Sequence, residues 1–351
     1  MSDLLSILQW ANDESRGIQD LVGARDKLVY DRIASSVKDT PIGECLSSLS
    51  NQGRIRLLRA PEICLALRTQ QARSVPEMVL AEYVFDHTVR ENLNSWTAMG
   101  DVWLGALPPL GDLANMVARE GRYFSPRTYA DKPLDCSLPS KVSFPSGGST
   151  ECDYLDPDEF QKVIAGISAA ERFIERTSPH TYAFTAAFIS NFVLRAHRAD
   201  EGRFQSATSS AAIGRVLLVN PQIVAANEFE MAEALVHEAV HTAVAISELE
   251  EQLMNVREGD APLVNSPWTG ASLYPHAFLH ACLVWFALLK FWQIVLGQSP
   301  SNLHAASRLE MIMNGFRKLN IGSNGAEQLR GFFTDLGTQI LFSLREKALA
   351  S

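Results

Sequence analysis

Two histidines four residues apart, His237 and His241, with Glu238 beside the first, constrain this chain more than any other feature. Positions i and i+4 share a face only on an α-helix, so imidazoles at that spacing can meet a common ligand only if the segment is helical. The flanks agree. Asn227 suits a cap, Glu230 stands three residues later, and the run that follows is rich in Ala, Val and Leu. On such a helix the H-E-x-x-H spacing lets both imidazoles converge on one metal ion and lets Glu238 face a water bound to it.

Two donors do not complete a metal site. An extension with Gly at 244 and a third His at 247 is excluded, because Val244 and Ser247 stand there. Glu258 sits in a polar stretch without a companion acid four residues on. Glu248 follows on the same helix and is expected to point past the ion. His276 and His280 are better placed, one helical turn apart in an apolar segment where an unpartnered imidazole would be costly. Spacing alone does not choose between them. Four of the eight histidines thus fall between 237 and 280.

The rest of the chain predicts a mainly α protein with a small antiparallel β-sheet, an α+β fold with a zincin-like metal helix inside it. Residues 1–105 read as an N-terminal helical part, from the spacing of Leu4, Leu5 and Leu8 and the unbroken run 78–93. Residues 106–150 are rich in Pro and Gly and read as a connection, and 151–351 as the metal-binding catalytic part. Asp156-Pro157-Asp158-Glu159 starts a helix with Phe160, Val163, Ile164 and Ile167 on one face. Short strands are expected near 189–195 and 215–219, with a Ser-rich turn at 206–210 between them. The motif helix should run to about Leu253, and later helices should cover 275–297, 303–319 and 327–348.

Composition narrows the function. Among 351 residues, 31 Lys and Arg face 40 Asp and Glu, a net charge of −9, which argues against a nucleic-acid or anionic-membrane partner. Five cysteines in irregular spacing, without C-x-x-C, predict neither a disulfide framework nor a thiolate cage and fit a reducing cytoplasm. The first residues carry an acid early and no basic run before an apolar stretch, so no signal peptide is expected. The most apolar segment, 281–296, is interrupted by Lys290 and Gln293 and reads as a buried helix, with Trp285, Phe286, Phe291 and Trp292 as core packing.

The order SATSSAAIGRVLLVNP, LVHEAVH, SPW and LHACLVWFALLKFW resembles the bacterial HExxH-motif proteins of peptide natural-product clusters. Some of these are iron(II)- and 2-oxoglutarate-dependent β-hydroxylases of ribosomally made peptides. The resemblance covers residues 150–295, and Pro267-Trp268 and Leu279-His280 give it specificity beyond the motif. It implies His237, His241 and His280 as metal ligands, and leaves His276 to a supporting or core role. It implies Fe(II) and 2-oxoglutarate as cofactors and a peptide as substrate. Glu238 would orient groups at the metal in an oxygenase, or act as general base in the alternative, a zinc hydrolase. The distal carboxylate of 2-oxoglutarate needs a cation, best an arginine. Relatives often carry Arg after Pro-Trp, where this chain has Thr269, so Arg215 and Arg257 become the candidates. Trp268 and Tyr274, ahead of His280, are candidate substrate-pocket residues.

Overall fold

A computed structural model of the chain describes residues 2–10, 15–36, 43–44, 47, 141–143, 149–152, 155–189, 191–198, 202–208, 213–249, 251–255, 263–319 and 331–350. The run 78–93 and most of the expected connection at 106–150 lie outside them. In chain order the elements are α1 (Ser2–Ile7), α2 (Ser15–Ser36), β1 (Lys141–Ser143), β2 (Ser149–Glu151), α3 (Pro157–Thr177), α4 (Pro179–Phe188), β3 (Asn191–Arg195), β4 (Gln205–Thr208) and β5 (Arg215–Val219). A 3-10 turn at Pro221–Ile223 leads to α5 (Glu228–Ser247), β6 (Val264–Asn265), β7 (Ser272–Leu273), α6 (Pro275–Gln298), α7 (Leu303–Lys318) and α8 (Asp335–Leu349). The chain is therefore mainly helical with small sheets. It divides into two compact units: Met1–Leu21, Ala170–Thr185 and Ala232–Ser351 form one, and Val22–Ala169 with Ala186–Met231 the other.

Among the described residues the largest sheet lies in the second unit, in the order β3-β5-β4. Its pairing corrects two expectations. β3 and β5 run parallel, Asn191 opposite Arg215, so the sheet is mixed rather than antiparallel. The expected turn at 206–210 is largely β4, which lies antiparallel on the far edge of β5. A Ser-rich strand with every residue half-exposed shows no alternation, and its conformation comes from the ladder that β5 offers. Asn220 leaves β5 in the left-handed region, φ 54°, which asparagine tolerates better than most residues. Its side chain accepts the His197 N–H at 2.7 Å and donates to the Arg203 carbonyl at 3.1 Å, closing the sheet end.

The caps of α3 and α5 form as their sequences predict. The Asp156 N–H donates to Glu159 Oε2 at 3.0 Å, and Arg198 clamps the same carboxylate at 2.9 and 2.8 Å. The Arg198 hydrogen bond is the main cause that holds Glu159 below the usual carboxylate value. That contribution is present above the ordinary value and fades as pH falls through the lowered one. On α5, Asn227 Oδ1 accepts the Phe229 N–H, and its amide donates to Glu230 at 2.9 Å.

In the first unit α6 is the spine. It is long and apolar enough to cross a bilayer by length and composition, yet 15 of its 24 residues are buried within the protein. α7 and α8 pack against it and against each other. Phe173 meets Phe291 edge-on, and Trp10 packs on Phe184 while its indole N–H donates to the Ala287 carbonyl at 2.9 Å. Glu233 of α5 accepts the Trp292 indole N–H at 2.8 Å and is clamped through both oxygens by Arg308 of α7. One carboxylate thus ties three helices.

Two boundaries differ from expectation. α5 ends at Ser247, short of 253, and runs out through a turn at Glu248 and Leu249. The backbone beyond is engaged elsewhere: Met254 bridges Phe333, and the Thr334 N–H donates to the Leu253 carbonyl at 3.0 Å. α8 begins at Asp335, capped by Thr334, whose hydroxyl accepts the Gly337 N–H. Glu327, its expected start, lies outside the described residues.

Trp268 stacks on Trp285, meets Phe316 edge-on and donates to the Ile312 carbonyl at 3.0 Å. Its indole lies against Gly315 of α7 so closely that an added Cβ would fall inside van der Waals contact of Nε1 and Cδ1. Helix propensity favours Ala over Gly by about 1 kcal/mol, but overpacking costs about 1–3 kcal/mol. Gly315→Ala is therefore expected to lower the melting temperature. A rise would mean that the indole yields freely.

Candidate metal centre

α5 and α6 bring four imidazoles and a carboxylate into one contiguous cluster. His237 and His241, one turn apart on α5, present their Nε2 atoms to each other at 3.1 Å. Two atoms bound to one ion at about 2.1 Å can be no more than about 4.2 Å apart, so this pair meets the requirement for shared ligation. Glu238 is buried, its side chain 1% exposed, with Oε1 3.9 Å from His237 Nε2.

His280, one turn into α6, faces the pair, but from behind. Its Nδ1 lies 3.2 Å from Nδ1 of His241, the ring nitrogen on the other side from the His237 contact. In this arrangement His280 supports His241 rather than converging with both Nε2 atoms. Its own Nε2 meets Glu248 Oε2 at 3.2 Å. His276 completes the set, with Nε2 2.9 Å from both oxygens of Glu248. The donor atoms of Glu248, His276 and His280 all lie within 4.8 Å of one another.

Glu248 is the residue that the spacing argument misplaced. Seven residues after His241 amount to about 700° of helix, only about 20° short of two full turns. Glu248 therefore projects from the His237–His241 face, because the backbone keeps helical bonding one residue past Ser247, with the Glu248 N–H donating to the Val244 carbonyl at 2.9 Å. His276, expected in a supporting or core role, is a direct partner of this carboxylate.

The electrostatics suit neutral donors. Burial is the main cause that lowers the His241 pKa well below its usual value, and the neighbouring His237, His280 and His276 add to it, so His241 stays deprotonated and able to bind a cation. Burial raises the Glu248 pKa, but hydrogen bonds from His276 and His280 and their charge outweigh this and bring it to about 2. Cys282, just beyond on α6, is fully buried, and burial pushes its thiol up, so it offers no thiolate. The donor set is nitrogen and oxygen, which fits Fe(II) or Zn(II) and not a thiolate-loving ion.

Trp268 stacks on Trp285 and also lines a hollow with Glu310, Met311 and Lys318. Tyr274 is 44% exposed at the N-terminus of α6, two residues before His276. Arg215 belongs to β5 of the second unit, where burial lowers its pKa to about 10. Arg257 lies outside the described residues. Thr269, at the position after Pro-Trp, takes part in a tight turn with Ser266 and Ala271.

No protein-family model matches the chain, and no curated protein matches its sequence.

Proposed function

We propose that this chain is a metal-dependent peptide-modifying enzyme, an Fe(II)- and 2-oxoglutarate-dependent hydroxylase of a peptide side chain acting in a reducing cytoplasm. The observation that supports this reading is the 3.1 Å approach of the His237 and His241 Nε2 atoms beside the buried Glu238. His237 and His241 hold the ion, and His280 fixes the orientation of His241 from behind. When bound, Fe(II) would activate dioxygen for C–H hydroxylation, with 2-oxoglutarate oxidised to succinate and CO2 as the co-substrate that supplies two of the four electrons. Glu238 carries a negative charge next to the ion and orients a bound water or substrate group. The exposed Tyr274 lies at the α6 end where a peptide would approach. Arg215 and Arg257 are the candidate partners of the distal carboxylate.

A zinc hydrolase is the second reading, favoured by one distance. With Oε1 3.9 Å from His237 Nε2, Glu238 is close enough to take a proton from a metal-bound water.

Anaerobically purified protein, loaded with Fe(II) or Zn(II), separates the two. The expected result is succinate formed from 2-oxoglutarate with Fe(II) and oxygen, and a 16 Da gain on the peptide substrate. Arg215→Ala or Arg257→Ala should raise the KM for 2-oxoglutarate. Peptide cleavage restored by Zn(II), with no succinate under Fe(II), would overturn the oxygenase reading in favour of the hydrolase.

A further inference from the structure

We infer that Glu248, His276 and His280 form a second divalent-cation site, separate from the H-E-x-x-H pair. This does not depend on the activity proposed above. Two imidazoles and one carboxylate are a common protein donor set for Fe(II), Co(II) and Zn(II). The three donors come from two helices: His276 and His280 are one turn apart on α6, and Glu248 faces them from the end of α5.

The spacings from both imidazoles to Glu248 fit an ion. Ligands bound at about 2.1 Å stand about 3.0 Å apart in octahedral and about 3.4 Å in tetrahedral coordination. The observed edges are 2.9 Å from His276 Nε2 to either oxygen of Glu248, and 3.2 Å from His280 Nε2 to Oε2. His276 Nε2 sits equally far from both oxygens.

Burial adds a reason. The side chains of Glu248 and His280 are each 7% exposed, so a divalent ion beside the carboxylate would be attracted in a low-dielectric setting. His276, at 20% exposure, leaves an entry side toward solvent. The His241–His280 contact places the two donor sets back to back, with one imidazole of each facing the other.

The test uses the full chain stripped with chelator and titrated with Co(II). Bound metal is counted by elemental analysis, and the visible d–d bands report coordination. Wild type is expected to bind two equivalents, His276→Ala one and His237→Ala one, with different band positions for the two single-ion forms. One equivalent in wild type, lost in His237→Ala and unchanged in His276→Ala, would overturn the inference and show the cluster to be hydrogen-bonded only. One equivalent lost in His276→Ala but kept in His237→Ala would uphold it and remove the H-E-x-x-H pair as a metal site. Circular dichroism checks each fold. If His276→Ala fails that check, the near-isosteric Glu248→Gln is read by the same criteria.

Discussion

Alanine at position 241 is expected to abolish metal binding at the H-E-x-x-H pair. His241 is the histidine that touches both donor sets, with Nε2 against His237 and Nδ1 against His280. Loss of a group that merely supports a ligand costs roughly 10–100-fold in metal affinity, and loss of a ligand costs more. His241→Ala removes a ligand from one donor set and the support of His280 from the other. Calorimetric titration with Co(II) should show an affinity at the pair at least about 100-fold weaker, and dialysed protein should carry no metal there. His180→Ala, on α4, serves as the control and should retain the wild-type stoichiometry. Unchanged binding in His241→Ala would remove the H-E-x-x-H pair from the chemistry altogether.

The second large effect is on stability and lies away from the site. Glu233→Ala leaves the Trp292 indole N–H and the Arg308 guanidinium without their shared acceptor, at the junction of α5, α6 and α7. A fully buried charge left unmatched costs about 3–5 kcal/mol. Glu233 and Arg308 are 17% and 28% exposed, so water recovers part of that, and about 2–4 kcal/mol remains. For a unit of this size the melting temperature should fall by roughly 5–15 °C. Adding Arg308→Leu to Glu233→Ala should return part of the loss, because the unmatched cation goes with it. A double variant no better than the single one would locate the cost at Trp292.

How far the sequence announced these features depends on how local their causes are. The caps of α3 and α5 are written within four residues, Asp156 to Glu159 and Asn227 to Glu230, and both form as read. The apolar α6 is equally plain. β4 was not, because Gln205–Thr208 is polar and becomes a strand only beside β5, and the parallel partnership of β3 with β5 is set by non-neighbouring segments. The end of α5 was missed because Leu253 and Met254 are taken up by Phe333 and Thr334, some 80 residues on. At the site, the i, i+4 histidines were legible from spacing, and so was the resemblance that singled out His280. Glu248 was legible in principle from its seven-residue offset. For His276, nothing local shows that a carboxylate from another helix reaches it. Trp268 reads as a pocket residue from its loop position, and its packing on Trp285, Phe316 and Gly315 comes from segments distant in sequence.

The long burial of α6 has a consequence for how the site behaves in time. His276 and His280 occupy the first two turns of a helix whose next three turns, from Cys282 to Trp292, are almost wholly enclosed. Amides in such a segment exchange with solvent only through the largest opening events of the fold. Hydrogen exchange should therefore be slowest there, and the α6 imidazoles ride on the last part of the unit to open. Donors held that rigidly lose little freedom when a ligand arrives, so capture of an ion or substrate at the α6 end should need little rearrangement of the helix backbone.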